Sequence, residues 1–169
     1  MHIRRLTPKD ALPFQALRLA ALKEAPSAFA SSYEEEKDFS LALVEGRLAV
    51  REDRGAFGAF LNDELLGMAV LGRLEQKKVH HKALIWSVYV APTARSRGIG
   101  RALVEAALAL ARSVPGIRQV NVSVTAGNAA AVRLYESLGF RRYGLEPAAL
   151  LVAGELHDEL HLTLPVAAD

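Results

Sequence analysis

Residues 88–112, VYVAPTARSRGIGRALVEAALALAR, confine this chain to a narrow set of folds: a β-rich run meets a proline, turns through a basic, glycine-bearing loop and continues as an unbroken amphipathic helix. Where that helix begins, the backbone N–H groups of Arg97, Gly98, Ile99, Gly100 and Arg101 lack intrahelical partners and sit at the positive end of the helix dipole. Such an end binds phosphate. Gly98 and Gly100 remove side chains that would hold an anion away from the main chain, and Arg95, Arg97 and Arg101 add positive charge around it. A pyrophosphate-bearing cofactor is the guest this pattern suits. Glycine spacing alone leaves an ordinary strand-to-helix turn equally open.

The surrounding sequence supplies alternating elements. Residues 2–6 predict a short strand, and Thr7-Pro8 then offers a cap and a first-turn proline for a helix reaching about Lys23, with Pro26 marking its end. The acidic run Glu34, Glu35, Glu36 predicts the start of a second helix, continuous to Leu43 or Glu45, because carboxylates suit a helix N-terminus. Apolar runs at 56–61 and 65–74 flank Asn62-Asp63-Glu64 and read as an antiparallel hairpin. Residues 75–82 form a charged connection before a strand at 84–90.

In the helix after the glycine turn, Ile99, Leu103, Ala106, Leu110 and Val114 trace one face, and Pro115-Gly116 stops it. Gln119 to Thr125 alternates Val120, Val122 and Val124 with polar residues, the pattern of a half-buried strand. Asn128 caps a short helix whose inner face carries Ala131, Leu134, Tyr135 and Leu138, with Gly139 at its end. Strands at about 140–147 and 155–164 finish the chain. Helices interleave with strands, yet the centre contains hairpins, so the expected class is α+β with a mixed sheet rather than a purely parallel one. Neither a G-x-G-x-x-G fingerprint nor a G-x-x-x-x-G-K-[ST] loop occurs, which counts against dinucleotide and P-loop folds.

Composition removes further classes. The 169 residues, 51% hydrophobic, suit one domain spanning 1–169. With no cysteine there is no disulfide, thiolate nucleophile or cysteine-bound metal, which fits a reducing, cytoplasmic setting. The net charge is only +2 and the arginines are dispersed, so nothing points to nucleic acid. No signal peptide is expected at MHIRRLTPKD, and no apolar run approaches the roughly 20 residues that span a bilayer, so no membrane partner is expected. His157 and His161 are four apart but define no metal site, and no catalytic metal is expected.

The second informative segment, NAAAVRLYESLGFRRYG at 128–144, lies one strand after the glycine turn. Together the two resemble the GNAT superfamily of N-acetyltransferases: Arg95, Gly98 and Gly100 match its R/Q-x-x-G-x-G/A turn, and Asn128, Ala131, Tyr135, Gly139 and Phe140 match N-x-x-A-x-x-x-Y-x-x-x-G-F. Many members carry glycine where this chain has Ser96. The resemblance implies a largely antiparallel sheet of six to seven strands, about four helices and splayed central strands. It implies acetyl-CoA as acetyl donor, with Val88, Tyr89 and Val90 beside the pantetheine arm. The backbone of Arg95, Ser96, Arg97, Gly98, Ile99, Gly100 and Arg101 would then hold the pyrophosphate, with Asn128 and Ala131 facing the arm. Tyr135 would also contact the cofactor and matches a tyrosine that protonates the departing thiolate, and a strand N–H such as that of Val90 would stabilise the developing oxyanion.

The reaction so implied is direct attack by a primary amine, from a small molecule or a peptide, in a ternary complex. Relatives often carry a glutamate on the central strand, where this chain reads Ile85-Trp86-Ser87. The base is therefore open among Glu34, Glu35, Asp158, Glu159, His80, His81 and His161. Phe29, Tyr33, Glu34 and Glu159 are the expected acceptor-side residues, and the acids of the segment Phe29 to Glu35 could either attract a cationic amine or simply complement a helix dipole. A non-catalytic acyl-CoA sensor and acyl transfer to a hydroxyl are the alternatives, and pairing into a homodimer is compatible with the resemblance.

Overall fold

The alternating apolar runs pair into one sheet in the computed structural model, which describes residues 1–166. Its strands are β1 (His2–Arg5), β2 (Arg54–Leu61), β3 (Glu64–Arg73), β4 (Lys82–Val90), β5 (Gln119–Thr125), β6 (Arg141–Val152) and β7 (Glu155–Pro165), in the order β1-β2-β3-β4-β5-β7-β6. Every neighbouring pair is antiparallel except β4 with β5. Among the described residues five α-helices flank the sheet: α1 (Ala11–Glu24), α2 (Tyr33–Glu36), α3 (Leu41–Arg47), α4 (Ile99–Ser113) and α5 (Ala129–Ser137).

Strands β2 and β3 are buried on both faces, which is why they read as apolar runs. Ala56, Phe60, Leu65, Met68 and Val70 face a core built with α1 and α3, while Phe57, Ala59, Leu66, Ala69 and Leu71 face a second core built with α4 and α5. The buried stripe of α4 is Ile99, Leu103, Val104, Ala107, Leu108 and Ala111, rotated from the predicted one, with Ala106 and Leu110 half-buried at its margin. Alanines at 107 and 111 let the helix axis lie close over the sheet. On α5 only Val132 and Tyr135 are fully buried, and the predicted Ala131, Leu134 and Leu138 are half-buried.

Two elements depart furthest from the sequence reading. The helix expected from Glu34 to Leu43 or Glu45 is broken in two, because Ser40 caps a new helix by accepting from the Leu43 N–H at 3.3 Å. Ser32 caps α2, its Oγ accepting from the Glu35 N–H at 3.2 Å while the Glu35 carboxylate accepts from the Ser32 N–H at 2.7 Å. Strand β6 runs past 147 to Val152, its register slipping between Glu146 and Leu150 around Pro147. Asp158 Oδ1 holds that irregularity by accepting from the Ala148 N–H at 2.8 Å.

The feature that positions the site is the opening between β4 and β5. They pair only through Lys82, Ala83 and Leu84, opposite Gln119, Val120 and Asn121, and then part. On the other edge of β4 the register to β3 slips between Met68 opposite Tyr89 and Val70 opposite Trp86, with Ser87 at φ 54°. This bulge bends β4 away from β5 and leaves the β5-facing edge of β4 beyond Leu84 without sheet partners among the described residues.

Candidate active site

The turn into α4 is built from two left-handed residues, Ser96 (φ 62°) and Gly98 (φ 74°), on either side of Arg97. Alternating the backbone this way turns successive N–H groups toward one side and forms an anion-binding concavity. The first intrahelical bond is Ala102 N–H to Gly98 O at 3.1 Å, so the amides of Ile99, Gly100 and Arg101 have no acceptor within the helix. A Cβ on Gly98 would meet no heavy atom within 4 Å, so this glycine serves the φ angle and leaves the concavity open.

A groove of about 450 Å³ runs from this turn along β4, lined by Val88, Tyr89, Val90, Arg95, Ser96, Gly98, Ile99 and Gly100 on one side and by Asn128, Ala131 and Leu134 on the other. Asn128 is held there by its own cap, its Oδ1 accepting from the Ala131 N–H at 3.1 Å. Arg95 does not point at the turn: it forms a bidentate pair with Glu24 at 3.1 and 2.7 Å, and its Nε donates to Val90 O at 3.0 Å. It clamps the end of α1 to the end of β4 and closes one wall of the groove. Arg101 points along the helix to Glu105 and Ser137. The side chains of Arg97 and Arg101 do not line the groove.

The opening between β4 and β5 forms a second cavity of about 410 Å³, which shares Ala28, Phe29, Val88, Asn128 and Ala131 with the first. One continuous channel therefore leads from the glycine turn into the split sheet. Tyr135 faces this second cavity; its side chain is buried, its ring stands edge-on to Phe140 with centroids 5.5 Å apart, and its hydroxyl makes no hydrogen bond among the described residues. Burial alone pushes its pKa well above the usual tyrosine range, so it is an O–H donor at any ordinary pH.

The far wall of the cleft carries Asn121, Ser123, Thr125 and Glu159. Behind it Ser123 Oγ lies 2.8 Å from His161 Nδ1, whose Nε2 lies 3.2 Å from Glu146. Of the seven candidate bases, Glu159 lines the cleft and His161 stands one hydroxyl behind it. Glu34 is exposed and paired with Lys37 at 2.7 Å, Glu35 caps α2, Asp158 supports β6, and His80 binds Leu74 O at 2.9 Å. His81 does not line the cleft. Phe29 borders both cavities, whereas Tyr33 packs under Lys23 and lines neither.

Sequence reading passed over the residues on the near wall. Arg18 on α1 donates from Nε and Nη2 to Glu36 at 3.2 and 2.9 Å and from Nη1 to Ser87 Oγ at 3.2 Å. Burial pushes the Glu36 pKa up, but the Arg18 and Arg47 guanidiniums outweigh it and hold the carboxyl below its usual range. The signals were an arginine on the apolar face of a helix, which demands a buried acid, and a serine interrupting the apolar alternation of Ile85-Trp86-Ser87-Val88.

Residues 18–140 match the model of the acetyltransferase (GNAT) family. Among curated proteins, the mycothiol acetyltransferase of Thermobispora bispora is 50% identical over 62 residues, covering 37% of this chain and 21% of that protein. That of Geodermatophilus obscurus is 38% identical over 100 residues, covering 54% of this chain and 30% of the other, so the matches span a third or less of these relatives. Among solved structures, a GNAT-family acetyltransferase from Streptococcus pneumoniae superposes with a TM-score of 0.90 at 22% identity, covering 98% of this chain and 99% of that one. yncA of Salmonella typhimurium, solved with its cofactor acetyl-CoA, gives 0.86 at 24% identity over 100% of this chain and 95% of the other. With both motifs set around one channel and the family model spanning most of its length, this chain belongs to the GNAT family of acetyltransferases.

Proposed function

We propose that the protein is an acetyl-CoA-dependent N-acetyltransferase that joins thioester and primary amine in a ternary complex. The observation that carries this reading is the continuity of the channel: an anion-binding turn at one end, an open sheet edge in the middle and, beyond it, the hydroxyl of a buried tyrosine that lines the cleft. The residues present fit the donor. The concavity at Ser96 and Gly98 is open to a pyrophosphate, and a Cβ on Gly100 would meet nothing nearer than Leu134 Cδ2 at 3.4 Å. The unpaired edge of β4 offers hydrogen-bonding groups to an extended pantetheine arm, as a missing strand would use them.

When bound, acetyl-CoA supplies an activated carbonyl and a thiol leaving group. The amides of Ile99, Gly100 and Arg101 hold phosphate oxygens at the positive end of α4. Asn128 and Ala131 fix the other side of the arm. Unpartnered N–H groups on β4, that of Val90 among them, stabilise negative charge on the acyl oxygen. Tyr135 donates its proton at the sulfur position. Glu159 accepts the proton of the incoming amine, which is charged at neutral pH and cannot attack until it is neutral. Orienting both reactants in one cleft supplies much of the acceleration.

The experiment is a calorimetric titration with acetyl-CoA, with ATP and NAD as controls and an Arg97/Gly98 double variant. Selective binding that the variant loses supports the reading. Folded protein that binds none of the three sinks it, and binding without acetyl transfer to any amine points instead to an acyl-CoA sensor.

A further inference from the structure

A third cavity, about 250 Å³, lies between α1, α3, β2 and β4, and Arg18, Ser31, Trp86 and Ser87 line both it and the split-sheet cleft. It therefore adjoins the transfer position from the side opposite the glycine turn. Its charged lining is three arginines, Arg18, Arg47 and Arg54, against the single carboxylate of Glu36. That carboxylate is already committed, bidentate to Arg18 and 3.4 Å from Arg47 Nη1. Arg54 has no carboxylate partner among the described residues; its guanidinium lies 5.3 Å over the Trp86 ring. Arg47 likewise stacks on Phe39 at 4.4 Å, with its side chain 43% exposed, so its remaining donors are open to a ligand.

Resting on the acetyltransferase reading, we propose that this cavity selects the acceptor: a small primary amine that also carries a carboxylate, as an amino acid does. Two guanidiniums held in place by aromatic rings and backed by a neutralised Arg18–Glu36 pair present a fork that matches a planar carboxylate. The two positive charges in excess repel a second ammonium group, so diamines and polyamines are excluded. The acids that the sequence offered as a lure for cationic amines lie elsewhere, Glu34 on Lys37 and Glu35 on the Ser32 cap. A volume of 250 Å³ holds a residue-sized molecule. With its carboxylate on Arg47 and Arg54, such a molecule directs its amine past Ser87 into the cleft.

The platform has a built cause. A Cβ on Gly72 would sit 2.8 Å from Trp86 Cη2 and 3.2 Å from Arg54 Nε, so only glycine at 72 lets the indole lie against β3 with the guanidinium over it.

The test is an acetylation panel of the standard amino acids, each as free acid, carboxamide and decarboxylated amine, with wild type, Arg47→Gln, Arg54→Gln and Arg54→Glu. Charge-assisted hydrogen bonds of this kind predict free acids favoured over carboxamides by about 10- to 100-fold in kcat/KM. The preference resides in KM, collapses in both Gln variants and turns toward diamines in Arg54→Glu, while acetyl-CoA affinity stays as in wild type. Equal rates for acids and amides, or a preference that survives both Gln variants, overturns the inference and leaves acetyl transfer standing. Calorimetry of the free acids with CoA-loaded and unloaded protein gives a readout independent of turnover. Binding lost in Arg54→Gln supports the site even if acetyl transfer fails, and the absence of binding by every free acid overturns it.

Discussion

Replacing Tyr135 by Phe removes one oxygen from the cleft and changes little else. The ring keeps its edge-on contact with Phe140 at 5.5 Å, and no hydrogen bond is lost because the hydroxyl has no partner among the described residues. Folding stability therefore stays within about 1 kcal/mol, a shift of roughly 2–4 °C in Tm for a chain of this size. The groove residues that hold the donor are untouched, so acetyl-CoA affinity changes by less than about 3-fold, under 1 kcal/mol. If Tyr135 is the acid, kcat falls by about 100- to 10,000-fold, or roughly 2.7–5.4 kcal/mol of barrier.

The pH dependence separates this from a packing effect. Burial holds the hydroxyl protonated beyond the range of ordinary assays, so Tyr135 puts no descending limb on the wild-type profile and the Phe variant lies below it by a constant factor from pH 6 to pH 9. Thiol release, followed in single-turnover mode so that product release does not mask chemistry, is the assay. A Tyr135→Phe protein that keeps more than about a third of the single-turnover rate, with normal acetyl-CoA binding, shows that the thiolate leaves without this proton, and the assignment falls.

Glu159→Gln lowers kcat/KM by about 100- to 10,000-fold near pH 7, and the deficit shrinks as pH approaches the pKa of the amine, because free amine then needs no base; a pH-rate profile of the variant reads this directly. Glu36→Gln leaves Arg18 charged and buried without its partner, which costs about 3–5 kcal/mol and lowers Tm by roughly 6–20 °C in a thermal melt. Asp10 contributes to acid stability. Hydrogen bonding and pairing with Arg4 depress its pKa from 3.8 to about 2, so its contribution is fully present above the unfolded value and lost as pH falls through the folded one. The 42% exposed Arg4 side chain screens the pair, so Asp10→Asn costs about 1 kcal/mol in urea unfolding at pH 7 and little near pH 2.

The local signals that sequence carries well are those in which a residue serves its own neighbours. The glycine turn, the Asn128 cap and the hairpin at Asn62 and Asp63, both at positive φ, all follow from near-neighbour geometry and were legible. The pairing of β2 with β3 was legible too, from their apolar runs, whereas their burial on both faces emerges only once α1 and α4 pack on opposite sides of the sheet. What was not legible depends on partners far along the chain. Arg95 looks like a phosphate ligand until Glu24, 71 residues away, takes its guanidinium. The acceptor cavity joins α1, α3, β2 and β4, and no spacing in the sequence brings Arg18, Arg47 and Arg54 together. The break at Ser40 was missed because the acidic run suggested one helix, whereas a serine cap close behind it was enough to start another.

Direct transfer requires one channel to receive thioester and amine together. Initial rates measured over a matrix of acetyl-CoA and amine concentrations test it most directly, with the intact mass of the protein recorded after acetyl-CoA alone. Intersecting double-reciprocal lines and an unmodified protein are the predicted result. Parallel lines, together with an acetyl group left covalently on the protein, would contradict direct transfer and place an acyl-enzyme in the reaction.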